Sequence, residues 1–294
     1  MKAFIEYLQI EKNASPYTVE YYQNDLEMFF EFLSREAIDN LNHIDQRVVR
    51  LFLTSLYDQQ LSRRSVARKI STLRSFYKFL KRENQTILNP FAAITLPKAS
   101  KPIPGFLYME ELEKLFEVND ITDPLEQRDQ AILETLYATG VRVSECQGLS
   151  LKDIDFSIGT MFIKGKGRKE RYVIFGAFAE KALKTYINEG RKQLLKRANP
   201  NDAVFVNARG NPLTTRGIRL ILSKMVDKAA LTVHVHPHKL RHTFATHMLN
   251  EGADLRTVQE LLGHESISST QIYTHVTKDH LRDVYMNTHP RAND

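Results

Sequence analysis

Five of the ten histidines fall in one short stretch, at His234, His236, His238, His242 and His247. Clustered histidines point to metal binding or to proton transfer. The metal reading is the weaker. His238 and His242 stand four apart on a helical pattern, but no glutamate lies between them as in H-E-x-x-H, and the nearest following acid is Glu251. A second grouping uses the same stretch differently. His238 and Arg241 form H-x-x-R at a helix start, His264 follows in Leu261-Leu-Gly-His264, and Tyr273 lies nine residues further on. Upstream, Ala138-Thr-Gly-Val-Arg-Val-Ser-Glu145 puts Arg142 at a helix end, and the turn Gly165-Lys-Gly-Arg-Lys169 presents Lys166. Alone, each is ordinary: a tyrosine packs, a Gly-Lys-Gly turns, an arginine caps a helix C-terminus. Together they can neutralise an anionic electrophile, move protons and supply a nucleophile.

This ordered set of Arg, hairpin Lys, H-x-x-R, His and Tyr resembles the tyrosine recombinase (lambda integrase-like) family, and the resemblance spans nearly the whole chain. Asn89-Pro-Phe, Pro97-Lys, the stretch His236 to His247, Gly252-Ala-Asp-Leu-Arg-Thr-Val-Gln and His289-Pro-Arg-Ala are similar to the Xer-type chromosome-dimer resolvases within it. Cys146 departs from the pattern, standing where relatives commonly carry an aliphatic residue. A buried cysteine behaves as a small hydrophobe, so the chemistry is unaffected.

The resemblance implies that Tyr273 attacks a DNA phosphate and leaves a 3′-phosphotyrosyl enzyme with a free 5′-hydroxyl. A phenol of pKa near 10 is only about 0.1% ionised at pH 7 and needs a base or nearby positive charge. Arg142 and Arg241 would clamp the non-bridging oxygens two-pronged and stabilise the pentacoordinate transition state. Lys166 would protonate the leaving 5′-oxygen, His238 would take the tyrosine proton, and His264 would hydrogen-bond a phosphate oxygen. Glu145, three residues after Arg142, would orient it. No metal, nucleotide or other cofactor is implied. The implied partners are a double-stranded recombination site, a second related recombinase (XerD-type) in a tetramer, and a DNA translocase. Type IB topoisomerases, non-cleaving DNA-binding modules and phage or transposon integrases are the rivals. Integrases often carry an extra N-terminal domain, which the opening of this chain does not resemble.

These groups must be carried by a scaffold, and the sequence outlines one. Four prolines between Pro90 and Pro104 interrupt every helical period, so an extended linker is expected over 97–105. Residues 1–96 then form a four-helix core-binding domain and 106–294 an α+β catalytic domain. The chain is mainly α with a small antiparallel sheet, and the resemblance implies a C-shaped clamp on DNA. Ser15-Pro16 starts a helix whose stripe is Tyr22, Leu26, Phe29 and Leu33, and further helices are expected near 45–57 and 62–83. Beyond the linker, helices are expected at 109–118, 127–139, 177–196, 215–229, 238–250, 254–262 and 267–275, with strands at 154–156, 161–164 and 171–175. A last short helix carries Leu281, Val284 and Tyr285. Packing on its own domain competes there with docking on a neighbouring protomer, which the resemblance implies.

Between Asp58 and Glu83 lie eight basic residues and no acid. Val66, Ile70, Leu73, Tyr77 and Leu80 share one face of that helix, while Arg63, Arg64, Arg68, Arg74, Lys78, Lys81 and Arg82 gather opposite, with Lys69 outside the arc. Like charges without local compensation repel one another, so an external polyanion is expected to face them, with Arg63, Arg64, Arg68, Arg74, Lys78 and Lys81 as DNA contacts.

The 294 residues are 42% hydrophobic and 26% charged, ample for a folded core and unlike a disordered chain. No apolar run is long enough to span a bilayer, and the acid-containing N-terminus lacks a signal-peptide core. One cysteine excludes internal disulfides and cysteine-rich zinc sites. A cytoplasmic, nucleoid-associated location is expected. The net charge of +6 is shared unevenly: residues 1–105 hold 15 Lys/Arg against 11 Asp/Glu.

Overall fold

The computed structural model describes residues 1–86, 88–95, 105–165, 170–196, 199–233, 235–263 and 278–293. The chain divides into two compact units, Met1–Pro102 and Ile103–Asp294. No described helix is long and apolar enough to cross a membrane.

The first unit is built of α1 (Lys2–Ile10), α2 (Pro16–Arg35), α3 (Gln46–Asp58) and α4 (Arg63–Arg82), with a 3-10 turn at Leu41–His43. Side-chain caps set three starts: Ser15 accepts from Thr18 N, Asp45 from Arg47 and Val48 N, and Ser62 from Ser65 N. Proline at the first position of α2 suits its fixed φ to the helix. The expected α4 face is fully inside, with Val66, Ile70, Leu73, Tyr77 and Leu80 all buried. Phe4, Phe29, Phe52, Phe76 and Phe91 meet them in an aromatic core with edge contacts at 5.0–5.5 Å between ring centroids. Each such ring, fully buried, stabilises the unit by roughly 1.5–3 kcal/mol.

The second unit opens with α5 (Met109–Glu117), α6 (Pro124–Thr139) and α7 (Val143–Gln147). The sheet follows as β1 (Ile154–Asp155), β2 (Thr160–Lys164) and β3 (Glu170–Ile174), antiparallel in the order β1-β2-β3, with Met161 opposite Val173. Then come α8 (Ala177–Thr185), α9 (Arg191–Leu195), α10 (Thr215–Lys228), α11 (Pro237–Asn250), α12 (Leu255–Leu262) and α13 (Lys278–Thr288). Helix α6 lies at the centre, with its residues from Ala131 to Thr139 buried on every side. Cys146 is fully enclosed in this core, and burial pushes its thiol pKa up. The expected helix over 267–275 lies outside the described residues, as does nearly all of the expected linker.

Two features differ from expectation. Helix α6 begins at Pro124 rather than 127, because Asp123 accepts from Leu125 and Glu126 N and Pro124 occupies the first turn. The helix expected over 177–196 is broken by a π turn at Tyr186–Gly190. Tyr186 is buried with its hydroxyl on Val206 N, and a Cβ at Gly190 would come within 2.9 Å of Pro124 O, so the turn lets two helices meet.

Helix α13 packs on its own unit, the first of the two alternatives that its apolar stripe leaves open. Tyr285 is 1% exposed among Ile174, Phe244, Met248 and Leu262. His289 stacks on Tyr285 at 4.9 Å, and Ala292 O accepts from Ala177 N at the start of α8. Arg291 pairs with the buried Glu134 and lies between the rings of Phe116 and Phe178. A short helix is marginal alone, and these contacts supply its packing in cis.

Candidate active site

The site is organised by two helix ends. Helix α6 stops at Gly140 (φ 58°) and α12 at Gly263 (φ 65°), both left-handed. A Cβ on Gly140 would sit 2.7 Å from side-chain atoms of Leu262 and Phe244, so only glycine lets α6, α11 and α12 converge. Each C-terminus leaves carbonyls without helical partners at the negative end of the dipole. Arginine side chains take them up. Arg241 donates from Nη1 to Gly140 O at 2.5 Å and from Nη2 to Leu262 O at 2.6 Å. Arg142 Nη2 reaches Gly263 O at 3.5 Å.

Between these arginines lies Glu145, with a side chain only 3% exposed. Its carboxylate accepts from Arg142 N at 2.8 Å and from Arg142 Nη1 at 2.9 Å. It also accepts both prongs of Arg171, Nη1 at 3.1 Å and Nη2 at 2.9 Å. Burial acts to raise its pKa, but the Arg171 hydrogen bonds and the Arg142 contacts outweigh this and hold the carboxyl below its ordinary value. Arg241 shows the opposite balance. Desolvation first, then repulsion from Arg142, brings its pKa down to about 10, still well above neutrality. The side chain of Arg142 remains 36% exposed, so it can meet a ligand without leaving Glu145.

His238 is on the first turn of α11, one turn before Arg241, and is exposed. Pro237 fills the first position of that helix, and His236 Nδ1 accepts from Lys239 N at 3.1 Å to cap it. His247 is instead a core residue, with Nδ1 2.8 Å from the hydroxyl of Tyr137. Lys166, His264 and Tyr273 lie outside the described residues. The described chain nonetheless reaches both Gly165, next to Lys166, and Gly263, next to His264. Among the described residues no group of three His, Cys, Asp or Glu side chains could hold a metal.

Arg171 is a site residue that the motif pattern does not include, although the sequence carries a signal for it. In β3 it shares a face with the buried Val173, so it points inward from a strand whose inward positions should be apolar. An inward arginine requires a buried acid, and Glu145 is that acid.

The basic face of α4 is not without compensation. Its charge is partly compensated from other helices: buried Asp25 of α2 takes Arg68, Lys69 at 2.9 Å and the hydroxyl of Thr72 at 2.9 Å. Arg74 is bound to the carbonyls of Phe91 and Ile94, which makes it a brace for the following loop. Arg82 pairs with Glu11 and Glu83. Arg63, Arg64, Lys78 and Lys81 are exposed and form no ion pair among the described residues.

Two family patterns match this chain, the phage integrase family over residues 105–280 and the phage integrase N-terminal SAM-like domain over residues 1–84. The chain is 70% identical over 291 residues to a protein named tyrosine recombinase XerC of Oceanobacillus iheyensis, covering 99% of this chain and 95% of that one. It is 57% identical over 293 residues to the tyrosine recombinase XerC of Bacillus subtilis, covering 99% and 96%. The crystal structure of the XerH site-specific recombinase bound to its difH substrate, a pre-cleavage complex, is similar with a TM-score of 0.68 and 29% identity, covering 94% of this chain and 80% of that one. With both units matched and near-full-length identity far above 30%, this chain belongs to the phage integrase family and, within it, to the XerC-type tyrosine recombinases.

Proposed function

We propose that this chain is a site-specific recombinase that resolves chromosome dimers by cutting and rejoining double-stranded DNA through Tyr273. The observation that carries the reading is the convergence of Arg142 and Arg241 on two helix C-termini around one buried glutamate. Two guanidiniums held in place, one of them with an open face, suit the charge that gathers on a phosphate in transfer. The Tyr273 oxygen attacks phosphorus as the bond to the 5′-oxygen breaks. His238 takes the phenolic proton, Lys166 gives one to the departing 5′-oxygen, and His264 donates to a phosphate oxygen. The product is a 3′-phosphotyrosine, whose retained bond energy lets a partner strand's 5′-hydroxyl reseal DNA without ATP.

Arg63, Arg64, Lys78 and Lys81 are the phosphate contacts of the first unit, with the exposed Arg68 beside them shared with Asp25, while Arg74 braces the loop at Phe91–Ile94. The chain works in the cytoplasm at the nucleoid with a XerD-type recombinase, in an assembly activated by a DNA translocase. Incubation with a nicked recombination-site duplex, followed by denaturing electrophoresis, tests the chemistry. Wild type should give a covalent protein–DNA adduct, and Tyr273→Phe should bind with near-unchanged affinity and give none. An adduct formed by the Phe variant would place the nucleophile elsewhere.

A further inference from the structure

We propose that Arg171 is a positioning residue that sets how much of Arg142 is available to the scissile phosphate; this rests on the recombinase reading above. A carboxylate with one cationic partner closes on it with both oxygens. Glu145 has two. Arg171 gives both terminal nitrogens to Glu145, so Arg142 needs to give only Nη1 and its backbone N–H to the same carboxylate. The Arg171 side chain is 17% exposed and that of Arg142 36%, so Arg171 is the inner support and Arg142 the outward-facing group.

Arg171 also ties three pieces of the site together. It sits on β3, five residues after Lys166. Its stem lies against Gly263, where a Cβ would come within 3.0 Å of Arg171 Cδ and Nε, and Gly263 adjoins His264. Its guanidinium holds Glu145 on α7. Its Nε is buried without a hydrogen-bond partner among the described residues, so the two terminal nitrogens carry its entire polar attachment there. Removing Arg171 would leave Glu145, desolvated and anionic, to draw Arg142 fully onto itself and away from DNA.

The test is single-turnover adduct formation on a nicked recombination-site duplex, with half-site binding and thermal melting measured alongside. Arg171→Met keeps the stem on Gly263 and should slow adduct formation by about ten- to a hundredfold, the scale of misplacing a charge-stabilising group. Binding should change by less than about threefold, because the effect lies in the transition state. Adding Glu145→Gln should recover several-fold of the rate, since a neutral amide does not compete for Arg142. A neutral methylphosphonate at the scissile position needs less cationic stabilisation, so on it the ratio of wild-type to Arg171→Met rate should shrink. If Arg171→Met does not fold, Arg171→Lys supplies the measurement, keeping stem and charge but giving up one prong, with a rate lower by about threefold or more. A folded variant as fast as wild type, a double variant slower than Arg171→Met alone, or an equal defect on both substrates would overturn the assignment. A wild-type protein that forms no adduct would instead overturn the recombinase reading, and would show in the control rather than in a ratio.

Discussion

Each unit contains one buried carboxylate that holds two cations, and the two clusters do opposite things. In the first unit Asp25 is fully enclosed and binds Arg68, Lys69 and Thr72. Lys69 is nearly as buried as its partner, with 7% of its side chain exposed, and the group fastens α4 to α2. In the second unit Glu145 is almost as deep, and its cations are graded in the same way, from the inner Arg171 to the outer Arg142, as Lys69 is to Arg68. The same charge pattern therefore makes a rivet in one place and a poised ligand holder in the other. What separates them is the setting of the outermost cation: Arg68 lies over the ring of Tyr21, whereas Arg142 reaches Gly263 O and repels Arg241, and a count of charges along the sequence contains neither.

Breaking the rivet should have the largest effect. Asp25→Ala leaves Lys69 buried without its acid, and removing one partner from a buried pair destabilises by about 3–5 kcal/mol. Denaturant unfolding should show the first unit melting early with the second unchanged. Equal stability would make the Asp25 cluster as dispensable as a surface pair.

The matching change in the other cluster should spare stability and remove activity. Arg142→Lys replaces a planar two-pronged donor by a point charge, and cleavage should fall by about a hundredfold or more at nearly constant melting temperature. A change under about threefold would place Arg142 outside the chemistry.

The clusters also divide the basic helix. Replacing Arg63, Arg64, Lys78 and Lys81 with Gln should lower the salt slope of DNA binding by about 0.9 for each phosphate no longer neutralised. Arg74→Gln should leave the slope alone and loosen the loop at Phe91–Ile94. If all five substitutions acted alike on the slope, the separation of brace from phosphate ligand would fail.

Acid provides the mildest contrast. His289 is buried in the second unit, and desolvation lowers its pKa to about 3, against an ordinary value near 6.5. Above pH 6.5 it is neutral folded or unfolded and its contribution is intact. Below that, the unfolded chain takes a proton that the folded chain refuses, so stability falls as pH drops toward 3. At pH 5 the decrease is about 2 kcal/mol. His247, also lowered mainly by burial, adds in the same direction. The first unit has one histidine, the exposed His43, and should hold its stability better between pH 7 and 5.

Local signals carry most of the architecture. Caps and apolar stripes mark α2, α3 and α4, and the alternation around Met161 and Val173 marks the sheet. The pairing of Arg142 with Glu145 is legible because three residues separate them on one turn. Asp25 lies 44 positions from Lys69, and Glu145 lies 26 from Arg171. Such contacts arise only once elements pack, so periodicity along one helix cannot reveal them. The placement of α13 is hidden for the same reason: Leu281, Val284 and Tyr285 read as a generic stripe until Ile174, Phe244, Met248 and Leu262 give Tyr285 a seat, with Arg291 on Glu134.

The sealed core around Cys146 has a practical consequence for spectroscopy. The chain's only thiol is both inaccessible and held in its unreactive protonated form, so maleimide dyes have no native target in the folded protein. A cysteine introduced at Tyr17 in the first unit, 72% exposed, or at Ile121 in the second, 64% exposed, would be the single labelling position in its unit. A donor and acceptor pair at those two sites would report, molecule by molecule, the distance between the units as DNA enters and leaves.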